Sequence, residues 1–304
     1  MSGKVIFLGT SAGVPTKNRN VSAIALIPQN SKEWLLFDCG EATQHQLLYT
    51  HLSTHSLNKI FITHLHGDHI YGLFGLLASR AMSGVETSLS IYGPDGIEEI
   101  VNTIKRLSNL TLPFSIRYIT LTGSEVLKFD NYDIETVELK HSVSTIGYIY
   151  SPHTKPKLNM DMVRALNIPI GPILQEIKKK DKIVLNGQTI DTSLLLTPPD
   201  IPKRVIIAGD NQEPQRFTAH TPIDTMIHEA TYIESDYNNL KIKFMHTTAK
   251  DLAITAQKMG VKRLVMTHIS PRYTKDREYQ LIKEAKEYFE GKVILAQDFM
   301  EIDI

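Results

Sequence analysis

Cysteine is almost missing from this chain: Cys39 stands alone among 304 residues. With no second thiol there is no intrachain disulfide, which excludes a disulfide-stapled scaffold and fits a reducing compartment. Long apolar runs are missing too. No stretch reaches the roughly 18 residues that a membrane-spanning helix needs, and the opening Lys4-Val5-Ile6-Phe7-Leu8-Gly9 is too short for the core of a secretion signal. Net charge is absent, since 33 Lys and Arg balance 33 Asp and Glu. No global field therefore steers the protein to nucleic acid, and any such surface is local. These absences predict a cytoplasmic protein with no membrane partner. What remains, 42% hydrophobic and 22% charged, is an ordinary globular composition. The length is enough for one large domain with a sizeable core.

Against this background one segment stands out. Thr63-His64-Leu65-His66-Gly67-Asp68-His69 follows the apolar run Ile60-Phe61-Ile62. Histidine and aspartate are poor strand formers and costly to bury without a partner; a divalent metal is such a partner. Along extended backbone His64, His66 and Asp68 project to one side, while His69 points elsewhere unless the chain turns. The spacing favours two centres, His64 and His66 on one, Asp68 and His69 on the other. Three further residues share the same context, each just past the C-terminal end of a strand-like run: His141, Asp210 and His268. Sites in α/β sheets gather beyond those ends. Alone, His141 or His268 reads as a capping or core histidine, and Asp210 as a turn residue. With Asp210 as a bridge, each metal has four protein ligands and keeps a position for a shared water. The all-nitrogen-and-oxygen donor set suits zinc, with manganese as the alternative. Two divalent ions against two aspartates leave a positive site suited to an anion such as a phosphodiester.

Strand-like runs are read at Val5–Leu8, Ala23–Ile27, Trp34–Phe37, Lys59–Ile62, Ser88–Tyr92, Ile116–Leu121, Tyr132–Leu139 and Ile146–Tyr150. They continue at Arg204–Ile207, Thr225–Ile227, Arg263–Met266, Lys292–Leu295 and Phe299–Ile302. Helical periodicity covers Glu41–Leu52, Ile70–Met82, Gly96–Leu107, Thr248–Lys258 and Asp276–Phe289. Hairpin-like strand clusters followed by strand–helix alternation predict an α/β fold. Two sheets stand face to face with helices outside, a four-layer αββα sandwich over residues 1–304. Residues 152–197 break the rhythm with Pro152, Pro156, Pro169 and Pro172, and with short helical pieces at Met160–Leu166 and Ile173–Lys180. Between Ser151 and Ile190 seven Lys or Arg face only Asp161, Glu176 and Asp181. This segment reads as a protruding, flexible arm inserted between the two halves.

Further motifs carry a resemblance. Pro15-Thr16-Lys17-Asn18-Arg19-Asn20 fits a P-x-K-x-R-N loop, and Phe37-Asp38-Cys39-Gly40-Glu41-Ala42-Thr43-Gln44 follows a strand. His228-Glu229-Ala230-Thr231 reads HEAT, Ile170-Gly171-Pro172 supplies a GP-containing arm, and His246-Thr247-Thr248 stands where His-Ser-Thr is usual. With the histidine cluster, these motifs resemble the metallo-β-lactamase superfamily and, within it, the ribonuclease Z family, endonucleases that remove 3′ trailers from precursor tRNA. The likeness runs nearly end to end. It implies that His64, His66, His141 and Asp210 hold one zinc and that Asp68, His69, Asp210 and His268 hold the other. It implies that Asp68 accepts the proton of the attacking water. It also implies a homodimer in which the arm of one subunit clamps tRNA presented to the other's active site.

Leaving-group protonation falls to His246, oriented by Glu229, because a histidine beside a carboxylate is readily charged near neutral pH. Without the resemblance Glu229 reads as a solvated strand-end acid. Lys17, Arg19 and Asn20 are candidates for contacting the acceptor end, and Arg272 for a phosphate. Gly171, Pro172, Lys178, Lys179 and Lys180 are candidates for following the RNA backbone. Two other readings compete: a small-molecule phosphodiesterase or other metallohydrolase on the same fold, and a non-catalytic RNA-binding module with a structural metal.

Overall fold

Lys4–Gly9 (β1) has two buried faces: Val5 and Phe7 enter one hydrophobic cluster, Ile6 and Leu8 another. A strand apolar on both sides belongs to a sheet covered on both sides, and the chain builds such a sheet twice. In the computed structural model, which describes residues 3–185 and 187–304, β1 is followed by Ala23–Ile27 (β2), Trp34–Phe37 (β3), Leu57–Phe61 (β4) and Leu89–Gly93 (β5). Ile116–Thr120 (β6), Val126–Lys128 (β7), Tyr132–Leu139 (β8) and Thr145–Pro152 (β9) come next. His153–Pro202 then forms a separate compact unit containing Lys157–Leu158 (β10), Lys182–Leu185 (β11), Gln188–Asp191 (β12) and Leu196–Thr197 (β13). The main unit resumes with Val205–Ile207 (β14), Thr225–Glu229 (β15), Arg263–Thr267 (β16), Lys292–Leu295 (β17) and Glu301–Asp303 (β18).

One sheet runs β18-β1-β2-β3-β4-β5-β6, the other β17-β16-β15-β14-β9-β8-β7. Each is mixed: β3 to β6 and β14 to β17 are parallel, and the remaining pairs are antiparallel. The helices of the main unit's first half are Thr43–Leu47 (α1), Gly67–Ile70 (α2), Gly72–Met82 (α3) and Ile97–Leu107 (α4). Leu47, Leu73, Leu76, Leu77, Ile97 and Val101 pack with Ile6, Leu8 and Leu36 on one outer face. Met160–Ala165 (α5) and Ile173–Ile177 (α6) belong to the second unit; Glu234–Asn238 (α7), Ala249–Lys258 (α8) and Tyr279–Tyr288 (α9) follow. Leu252, Ala253, Ala256, Leu281 and Ala285 cover the other outer face with Ile206, Met226 and Leu264. Between the sheets lie Val5, Phe7, Phe37, Phe61, Tyr148, Ile207, Ile227 and Val265. The four-layer αββα sandwich is thus built by strict alternation along two-faced strands. Tyr148 bridges the sheets, its hydroxyl donating to the Ile62 carbonyl at 2.6 Å.

The second unit has its own small core of Val163, Ile168, Ile177, Ile183 and Leu195. Its four short strands were not expected from sequence, and α6 ends at Ile177 rather than Lys180.

Other departures have local causes. The helix expected over Glu41–Leu52 stops at Leu47, because Leu48 and Tyr49 are 76% and 65% exposed and find no surface to cover. The helix expected over Ile70–Met82 begins earlier, at Gly67, and breaks at Tyr71. There the Gly72 N–H donates to the Cys39 carbonyl at 2.9 Å, and a Cβ on Gly72 would lie 1.8 Å from the Gly40 carbonyl oxygen. The strand expected from Phe299 starts at Glu301, because Phe299 turns through a φ of 65°. The expected N-cap is present: the Thr248 side chain accepts from the Asp251 N–H at 3.1 Å.

Candidate metal centre and catalytic cleft

His64 follows β4, His141 follows β8, Asp210 follows β14 and His268 follows β16. These strand ends, from both sheets, meet at one edge of the sandwich. The Thr63 carbonyl accepts from the Ile146 N–H at 2.9 Å, which ties the histidine loop of one sheet to β9 of the other. A close approach is needed here as well: a Cβ on Gly40 would lie 2.3 Å from the Asp68 carbonyl oxygen.

The donors fall into groups that share Asp210. His64, His66, His141 and Asp210 form one, Asp68, His69 and His268 another, and Asp210 and His268 also lie together with His246. The Asp210 carboxylate divides between them. Its Oδ2 faces His64 Nε2 at 3.9 Å and His141 Nε2 at 3.7 Å, while Oδ1 faces His69 Nε2 at 3.4 Å and His268 Nε2 at 3.2 Å. Asp68 Oδ2 closes the second group, 3.5 Å from His69 Nε2 and 3.3 Å from His268 Nε2. In the first group His64 Nε2 and His141 Nε2 lie 3.0 and 3.3 Å from His66 Nδ1. Zinc–nitrogen bonds of about 2.0–2.1 Å in a tetrahedron put neighbouring donors roughly 3.3 Å apart, so these spacings suit a cation. Among the described residues His69 Nε2 and Asp210 Oδ1 are buried without a hydrogen-bond partner. Orphans of that kind need an explanation, and a metal ion supplies it.

The far sides of the rings are held. His69 Nδ1 meets Asp38 Oδ2 at 2.7 Å, His64 Nδ1 meets Thr63 Oγ1 at 3.0 Å, His141 Nδ1 meets the Met245 carbonyl at 2.9 Å and His268 Nδ1 meets Thr231 Oγ1 at 3.1 Å. Each contact leaves Nε2 directed inward. Burial pushes His64 and His66 toward the neutral form that ligates. His69 goes the other way: burial opposes its charge, but Asp38 and Asp210 hold its pKa well above the usual histidine range. Burial likewise opposes charge on Asp68 and Asp210, yet the neighbouring histidines hold both carboxylates well below theirs. A cation at these nitrogens takes the place of the protons.

Beside the donors lies a cleft of about 340 Å³ lined by Gly13, His66, Asp68, His141, Asp210, Phe244, His246 and His268, among others. His246 Nδ1 is 3.0 Å from Glu229 Oε2 and 3.8 Å from Asp210 Oδ2. Burial works against its charge, but Glu229 outweighs it and pushes the imidazole up to about 9. Glu229 is no solvated acid. It is 1% exposed and accepts from the Asn211 N–H and the Thr231 hydroxyl, both at 2.6 Å.

Sequence reasoning gave no role to Asp38, Asn211, His228 or Thr231, and read Thr63 only as a backbone need close to the metals. Asp38 had a signal, since it follows β3 as the ligands follow their own strands. Asn211 is the hub of the site. Its Oδ1 accepts from the Lys140 N–H at 3.2 Å, its Nδ2 donates to His228 Nε2 at 3.0 Å, and its carbonyl accepts from the Thr247 hydroxyl. It thereby ties together the loops carrying His141, Asp210, Glu229 and His246. His228 is buried, and burial keeps it neutral.

The substrate candidates are scattered. Lys17 is exposed. Arg19 is a correction: it is 5% exposed, with Nε donating to Glu278 Oε1 at 2.9 Å and Nη1 to the Thr10 hydroxyl and the Ala296 carbonyl, both at 2.6 Å. Its guanidinium is consumed inside the protein and braces the loop. Asn20 is half-buried, its Nδ2 donating to the Glu41 carbonyl at 2.8 Å. Arg272 is exposed and lies over the Tyr232 ring at 4.8 Å. Gly171, Pro172, Lys178, Lys179 and Lys180 belong to the second unit, where the three lysines are exposed and Lys180 pairs with Glu176 at 2.7 Å.

Residues 3–153 match the family model described as anti-Pycsar protein Apyc1. Over 306 residues the chain is 37% identical to the ribonuclease Z of Bacillus subtilis (strain 168), covering 99% of each chain. Human tRNase Z, short form, has a structure that superposes with a TM-score of 0.68 at 27% identity over 99% of both chains. The metallo-beta-lactamase fold protein YhfI from Bacillus subtilis shares the fold, with a TM-score of 0.67 at 20% identity. An identity of 37% maintained over nearly the whole of both chains, on this fold and with this donor set, settles the kinship: the chain belongs to the ribonuclease Z family.

Proposed function

We propose that the protein is a metal-dependent endoribonuclease that removes the 3′ trailer from precursor tRNA and leaves a 3′-hydroxyl on the tRNA. The observation that carries this reading is the divided carboxylate of Asp210 with the His246–Glu229 pair at the same cleft. His64, His66, His141 and Asp210 would hold one zinc ion and Asp68, His69, Asp210 and His268 a second, with manganese as the alternative. When bound, the ions acidify water and neutralise phosphodiester charge.

The residues supply the proton traffic. Asp68 is aimed by the Gly13 N–H, which donates to its Oδ2 at 2.9 Å. It accepts the proton of the attacking water as the new phosphorus–oxygen bond forms. The phosphorus–O3′ bond breaks, and the departing 3′-oxygen takes a proton from the His246 imidazolium. Glu229 keeps that imidazole charged and oriented. Lys17 and Arg272, both exposed, contact the RNA, and Asn20 holds its loop through the Glu41 carbonyl. The protein works in the cytoplasm as a homodimer, and the second unit of one subunit holds the tRNA at the other's cleft.

Metal-replete protein incubated with one 3′-extended tRNA tests the function. A single cut directly after the last mature nucleotide, with a 3′-hydroxyl and complete loss of cleavage on chelation, is expected. Hydrolysis of cyclic nucleotides without any cut in the tRNA would instead favour a small-molecule phosphodiesterase.

Removal of the second unit separates its role from the chemistry. Val205 pairs with Tyr150 across antiparallel strands, so the two chain ends at the second unit leave from neighbouring strands, and a short turn can replace 153–202. The variant is expected to hydrolyse bis(p-nitrophenyl) phosphate at the parental rate. It should lose at least about a hundredfold in kcat/KM on precursor tRNA, the scale of losing a few phosphate contacts. Equal loss on both substrates would make the unit structural.

A further inference from the structure

Among the described residues Phe244 is the one large apolar side chain in the lining of the catalytic cleft that is mostly exposed, at 54%. A lone exposed phenylalanine is common and means little; this one stands on a backbone turn that is held in place. The His246 N–H donates to the Phe244 carbonyl at 2.9 Å, and the Tyr237 hydroxyl donates to the same carbonyl, also at 2.9 Å. The turn is therefore fixed to the residue that protonates the leaving group. The exposed Lys243 lines the same cleft beside it.

We infer that Phe244 is a stacking platform for the base immediately 5′ of the cut, with Lys243 beside that nucleotide's phosphate. The inference rests on the proposed tRNA cleavage and adds the side of the cleft. His246 gives its proton to O3′, and O3′ belongs to the last nucleotide of the mature tRNA. That nucleotide must therefore lie on the His246 side of the scissile phosphate. Phe244 lies two residues from His246 and lines the same cleft, to which Asp68, the proposed acceptor of the water's proton, also contributes. A flat apolar ring accepts any base face, because stacking is tolerant of sequence. This suits an enzyme that must cut after different terminal bases.

The test is a double-mutant cycle between Phe244→Ala and an abasic residue at the last mature position of the precursor, read as single-turnover kcat/KM. Each change alone is expected to cost about ten- to a hundredfold, and the two together no more than either alone. Phe244→Trp should retain activity. Phe244→Leu, which keeps the apolar contact but not the ring face, should behave like alanine, with metal content unchanged in all variants. Losses that multiply, or normal cleavage by Phe244→Ala, overturn the inference. Coupling to an abasic residue at the first trailer position instead overturns the side assignment. Wild-type protein that leaves intact precursor uncut would fail the function itself, a different outcome from any of these.

Discussion

Replacing Asp210 with alanine strips metal from both groups of donors and takes cleavage with it. Oδ2 points to His64 and His141, and Oδ1 to His69 and His268, so one truncation removes a donor from both groups at once. It also removes the negative charge shared by the cluster. The carboxylate is 3% exposed, and nothing in solvent can stand in for it. Turnover on precursor tRNA should fall further than the roughly 10²–10⁴ that loss of a general acid or base costs. Elemental analysis of the purified variant should show depletion at both positions rather than one. The fold should survive, because Asp210 lies beyond the end of β14, and Val205, Ile206 and Ile207 keep their places in the two cores. A lower melting temperature is expected only by the amount that bound metal contributed. A variant that retains the full metal complement would show that Asp210 is not shared.

The second large effect is selective. His246→Ala should keep its metal and its affinity for precursor tRNA and lose about 10²–10⁴ in single-turnover cleavage. The reason lies in the leaving group. A sugar 3′-oxygen departs poorly without a proton, whereas p-nitrophenolate departs readily as the anion. Hydrolysis of bis(p-nitrophenyl) phosphate by the same variant should therefore change little. Glu229→Gln should fall between the two, since the amide keeps size and some hydrogen bonding but not the charge that favours the imidazolium. Equal losses on both phosphodiesters would remove His246 from leaving-group protonation and make it a structural neighbour of Asp210.

Much of this site could be read before any coordinates. The strand-end positions of His64, His141, Asp210 and His268 follow from apolar runs that stop at a polar residue. β14 and most of β16 are buried on both faces, which keeps their runs apolar, whereas β8 before His141 alternates buried and half-buried positions. The N-cap at Thr248 and the breaks at the prolines of 152–197 are likewise local signals. Harder to read were features whose cause lies far along the chain. The P-x-K-x-R-N loop suggested that Arg19 reaches substrate, but its guanidinium meets Glu278, 259 positions away. Asn211 carries no periodicity and no motif chemistry of its own; it matters through the loops that converge on it.

The sequence by itself determined the kind of chemistry: a nitrogen- and oxygen-donor metal site at strand ends in a two-sheet sandwich. Residue type sets ligand chemistry, and local periodicity sets the strands. Tertiary structure alone decided how that chemistry is arranged. It split the two oxygens of Asp210 between two sets of histidines, and it buried Glu229 against His246. It also turned Arg19 inward. Each of these depends on distances between segments far apart in the chain, and close packing of the two sheets, not local spacing, fixes those distances.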